Sequence, residues 1–168
     1  MAAARRRPVV PNRRSPGGLG RGYRDGVLQV LVDADNVAPA RLLPLLDLLP
    51  ADGRDVRLVV SGRPAALARI RWPAYAEVVP AAGWQRADVV LAAAYRPDGG
   101  PLVVVSGDGD FGLLAARHDG PVLVVSEAAS ARLRDTASVV DPVQEGVPPL
   151  RRWLAAVRED AGDAGSGG

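Results

Sequence analysis

Apolar and polar positions along this chain follow two alternating rhythms. Val27 to Val32 is a nearly continuous apolar run ending in acid, the pattern of a strand buried on both faces of a parallel sheet. Pro39 to Leu49 follows with leucines at helical spacing, Pro39 suiting a first turn and Pro44 marking a candidate kink. The pairing recurs with Val56 to Val60 as strand, Pro64 to Ile70 as helix, an extended piece around Val78 and Val79, and a helix opening near Asp88. Leu102 to Val105 and Val122 to Val125 then read as strands, and Asp110 to Arg117 and Ser130 to Thr136 as helices. Pro149 to Glu159 carries Leu150, Trp153, Leu154 and Val157 on one stripe, which predicts a terminal amphipathic helix. Strand and helix units joined by short turns predict a three-layer α/β/α domain with a central, mainly parallel sheet and right-handed crossovers. No internal sequence repeat stands out beyond this alternation.

The 168 residues, 48% of them hydrophobic, suffice for one substantial core and are too few for two ordinary domains. The expected organisation is an N-terminal arm over residues 1–25, one domain over 26–159 and a tail over 160–168. The arm holds Arg5, Arg6, Arg7, Arg13, Arg14, Arg21 and Arg24 among prolines and glycines without apolar period, and is expected to be disordered and basic. It could meet nucleic-acid phosphates, act as a leader or transit peptide, or reflect a misassigned start. The acidic, glycine-rich tail is expected to be disordered as well.

All 21 basic residues are arginine, and the net charge is only +2. The absence of cysteine excludes disulfides, a thiol nucleophile and thiolate metal sites, and the single histidine, His118, excludes a multi-histidine cluster. No apolar run is long enough to span a bilayer, so a soluble, cytoplasmic protein without membrane contact is expected.

Three segments place acids where ligands bind in such sheets, beyond the carboxyl ends of the strands. Asp33 ends the first strand, with Asp35 and Asn36 in the turn that follows. Asp88 opens a mostly apolar helix. Asp108 and Asp110 lie between glycines just after Ser106. Gathered together, these carboxylates would need a cation or shared protons, and hard oxygen donors suit Mg2+ or Mn2+. Bland roles compete: Asp35, Asn36 or Asp110 as helix caps, and Asp88 as a first-turn dipole partner. Phe111 is expected in the core, Trp72, Trp84 and Tyr95 in the core or at its rim, and His118 as a cation ending a helix.

Asp33-Ala34-Asp35-Asn36, Ala87-Asp88-Val89-Val90-Leu91 and Ser106-Gly107-Asp108-Gly109-Asp110-Phe111 resemble, in order and spacing, the three signatures of the NYN family, within the PIN-like nuclease superfamily. The resemblance spans about Val27 to Pro142. It implies a PIN-like fold and metal-dependent cleavage of RNA phosphodiesters. By motif position Asp33, Asp88, Asp108 and Asp110 would be the catalytic, metal-binding acids, with Asn36, Ser106 and Asp35 in support. Arg63 and Arg86 are candidates for gripping substrate phosphates. RNA is the implied partner, and a homodimer is compatible with it. Many relatives carry a further acid where this chain has Ala94, which leaves the set one ligand short of theirs.

Two other readings compete. Asp33-Ala34-Asp35-Asn36-Val37 also satisfies the first signature of haloacid-dehalogenase-like phosphatases, Val59-Val60-Ser61-Gly62-Arg63-Pro64 resembles the second and Gly107-Asp108-Gly109-Asp110 loosely the fourth, but the lysine of that superfamily's third signature is absent. The other is a catalytically weak module of the same fold that binds RNA or a protein.

Overall fold

In a computed structural model, residues 27–81 and 86–163 are described, and the basic arm lies outside them. Six strands form one sheet: β1 (Leu28–Asp33), β2 (Val56–Gly62), β3 (Glu77–Pro80), β4 (Leu102–Val105), β5 (Val122–Val125) and β6 (Ser138–Val140). Every pairing is parallel, in the order β3-β2-β1-β4-β5-β6. The helices are α1 (Pro39–Leu48), α2 (Pro64–Leu67), α3 (Arg86–Ala94), α4 (Phe111–Arg117), α5 (Ala131–Thr136) and α6 (Pro148–Asp163).

The layers follow from alternation along the strands. Val30, Val32, Leu58, Val60, Val103, Val105, Leu123 and Val125 face one core, completed by Leu42 and Leu45 of α1 and Leu150 and Leu154 of α6. Leu31, Val59, Leu102, Val104, Val122 and Val124 face the other, with Leu91 of α3, Phe111 and Ala115 of α4 and Leu133 of α5. This is a three-layer α/β/α domain. Both faces of β1 are covered, which is why its sequence reads as a run rather than an alternation.

The expected elements are present, with differences at their ends. β2 runs two residues beyond Val60, and α2 stops three residues before Ile70. α6 continues through Asp163, into the segment expected to be tail, and residues 164–168 lie outside the described ones. β6 was not anticipated: it is three residues long and follows α5 with only Ala137 between, so neither a turn signal nor a full period marks it. Pro44 lies within α1. No helix among the described residues is long and apolar enough to cross a membrane.

Candidate metal centre at the carboxyl edge

The connection after β1 crosses one face and that after β4 the other, so the chain diverges beyond the ends of these two neighbouring strands. In doubly wound sheets that divergence opens the ligand crevice. Asp33 is the last residue of β1, and Ser106 directly follows β4. Asp33 shares a face with Leu31, and Ser61, its register partner on β2, shares that face with Val59. By the same alternation Ser106 continues the side of Val104. α3 packs on β1 and β2 over this face, with Leu91 against them. Asp88, three residues before Leu91, lies on the same side of the helix, one turn nearer the carboxyl edge.

Asp33 is only 2% exposed. Its carboxylate accepts from the Asn36 side-chain amide at 2.6 Å and from the Asp35 N–H at 3.1 Å. Burial pushes its pKa above the ordinary value, the two hydrogen bonds pull it back, and the charge of Asp35 raises it again. Asp88 has a sharper problem: Oδ1 is buried with no hydrogen-bond partner among the described residues. A carboxylate oxygen in that state costs about 1–3 kcal/mol or more, which a cation or water would offset.

The loop after β4 is set by two short hydrogen bonds. Ser106 Oγ accepts from the Asp108 N–H and Asp108 Oδ1 from the Asp110 N–H, each at 3.1 Å. Gly107 is required, because a Cβ there would lie 2.7 Å from Ser126 Oγ and 3.1 Å from the Ala128 carbonyl. Asp110 occupies the cap position of α4 but has helical φ and ψ and makes no side-chain capping bond. Asp35 and Asn36 do not cap α1 either, whose cap residue is Ala38. The capping roles therefore do not account for these acids.

Asp35 is engaged elsewhere. Its carboxylate accepts the Arg63 N–H and, at 2.9 Å, Arg63 Nε. The pairing holds the guanidinium pKa above its ordinary value. Arg86 is exposed at the start of α3. Trp84 lies outside the described residues. Phe111 is in the core as expected, and Trp72 lies at its rim, donating to the Leu67 carbonyl.

The expected acids thus share one edge, but they do not close into a shell. Among the described residues no three groups that could ligate a metal stand close enough together to hold one. In donor chemistry the edge fits a hard divalent ion: every candidate is a carboxylate oxygen, one of them buried and orphaned. Asp108 is partly exposed, with one oxygen on the Asp110 N–H, and Asp110 is exposed.

One sequence reading is corrected. Ala94 ends α3 about 9 Å along the axis from Asp88, and its carbonyl accepts from Arg57, the second residue of β2. It belongs to the amino edge, so it is not a vacant ligand position beside Asp88. His118 follows α4 as its C-cap residue. It is buried, with Nδ1 2.9 Å from the Tyr95 hydroxyl and Nε2 2.6 Å from the Gly100 carbonyl. The two ring nitrogens thus give the Tyr95 hydroxyl and the buried Gly100 carbonyl a hydrogen-bond partner.

Missed in the sequence were Ser61 and Ser126, which with the expected Ser106 make a row of buried serines on the carboxyl edge. The signal was there, since Val-Val-Ser ends the apolar run in each case. Comparison with known proteins finds no matching family model, no matching curated protein and no matching solved structure, so the family resemblance rests on the three motifs alone.

Proposed function

We propose that the chain is a divalent-metal-dependent ribonuclease that hydrolyses RNA phosphodiesters at the carboxyl edge of β1 and β4. The observation that carries this reading is the pairing, on one face of that edge, of the buried Asp33 with the orphaned oxygen of Asp88. Asp33, Asp88 and Asp108 would hold Mg2+ or Mn2+, with Asp110 reached by a turn of its side chain. The bound ion would lower the pKa of an attacking water and neutralise charge on the leaving oxygen. Asn36 fixes the Asp33 carboxylate, and Ser106 fixes the backbone that presents Asp108. No side-chain nucleophile is needed. The one histidine is committed at the opposite edge, so no imidazole is there to activate a serine.

That no closed shell forms among the described residues favours a second reading, a module that binds RNA or a protein and cuts weakly. A phosphatase gains less support, because Asp35, the acid that would serve the leaving group, is tied to Arg63. Incubation of the protein with manganese and labelled single-stranded RNA separates them. Cleavage that is abolished by EDTA, by Asp33→Asn and by Asp108→Asn is expected. Binding without cleavage would favour the module, and turnover of p-nitrophenyl phosphate the phosphatase.

A further inference from the structure

An edge lined by Asp33, Asp35, Asp88, Asp108 and Asp110 repels the polyanion it is proposed to cut, so a substrate strand needs a cation beside it. Resting on the ribonuclease reading, we propose that Arg63 is a substrate-positioning residue whose guanidinium, oriented by Asp35, takes a phosphate of the RNA strand. Arg63 lies two positions beyond Ser61, the register partner of Asp33. Asp35 accepts the Arg63 N–H through both oxygens, at 3.1 and 3.2 Å, and accepts Nε through Oδ1 at 2.9 Å. Nε is the donor nearest the main chain. Binding it there leaves both terminal nitrogens without a hydrogen bond among the described residues, on a side chain 68% exposed. An unattached surface arginine carries about 2 kcal/mol of rotamer entropy, part of which this anchoring removes before substrate arrives.

The approach of the two turns is built in. A Cβ on Gly62 would lie 3.0 Å from the Ala34 Cβ and 3.4 Å from the Asp35 nitrogen, so glycine allows the β1 and β2 loops to meet. Arg41, by contrast, is committed through Nε and a terminal nitrogen to Asp141 and Glu127. Bidentate donation from two free Nη groups matches a phosphate in a way that an ammonium does not.

The test is fluorescence polarisation of a labelled oligouridylate of about 12 nucleotides in EDTA at several salt concentrations. Arg63→Gln is expected to weaken binding about threefold to tenfold and to reduce the salt slope by about 0.7. Arg63→Lys should restore the slope but not the full affinity, which a purely structural role would not produce. Arg54→Gln is the control, because Arg54 lies 79% exposed in the turn before β2, at the opposite edge. Unchanged binding by Arg63→Gln, an equal loss with Arg54→Gln, or no RNA binding by the unaltered protein would overturn the proposal. Cleavage with manganese is scored separately. Binding without cleavage counts against the ribonuclease and leaves the Arg63 contact standing, whereas cleavage with unaltered Arg63→Gln binding removes only the contact.

Discussion

At neutral pH the Asp33 carboxylate has two donors, the Asn36 amide and the Asp35 N–H, in place of bulk water. Burial holds its folded pKa above the ordinary carboxylate value. Between the unfolded value, about 4, and that raised value the folded state binds more protons, so stability falls as pH rises through this window and levels above it. Asp33→Asn removes that fall. Unfolding free energies from urea titrations should show the variant gaining on the parent as pH rises, and parallel curves would remove the burial argument. Asp88 makes a second case. Asp88→Ala eliminates a buried oxygen without a partner, worth about 1–3 kcal/mol, and forfeits a first-turn dipole contact of about 0.3–1 kcal/mol. The metal-free protein should therefore melt higher, while the rise in melting temperature caused by manganese disappears. Asp33 was legible in the sequence because an acid ends an apolar run. The orphaned state of Asp88 was not, since burial of one oxygen depends on how α3 packs on β1 and β2.

Among elements, those with a full hydrophobic period were legible and those specified by pairing were not. β1, β4 and β5 announce themselves as apolar runs, and α6 by its stripe of Leu150, Leu154 and Val157. β6 is defined instead by its ladder with β5, and by Asp141 beyond it, which binds Arg41 of α1. The loop after α3 is likewise held by contacts remote in sequence. Gln29 is buried in β1 and bonds Arg96 through both its amide oxygen and nitrogen, while His118 bridges Tyr95 and Gly100. His118→Ala should strand the Gly100 carbonyl and the Tyr95 hydroxyl at a cost of about 2–4 kcal/mol, measured by urea unfolding. Cleavage per folded molecule should not change, because these partners lie at the amino edge. A loss of activity beyond the loss of folded protein would place this cluster in the site after all.

Across the whole molecule, strand direction separates two kinds of polar residue. Asp33 and Asp88 at the carboxyl edge are buried without full compensation, whereas Gln29, Arg57 and His118 at the amino edge have hydrogen-bond partners. From the sequence, the placement of Asp33 and Asp108 at one edge followed from parallel topology, since every strand then ends on the same side. The fate of Ala94 did not follow, because six positions after Asp88 could be near or far until the axis of α3 was known. Its carbonyl on Arg57 fixes the answer: α3 runs back toward the amino edge. Installing an acid there should therefore gain nothing for the site. Ala94→Asp puts a negative charge at a helix C-terminus, an unfavourable dipole contact of about 0.3–1 kcal/mol, and should lower the melting temperature slightly in EDTA. The manganese-induced rise in melting temperature should match that of the parent, as should the cleavage rate. A larger rise or a faster cleavage in Ala94→Asp would mean that the end of α3 reaches the proposed metal site, and the division of labour between the two edges would fail.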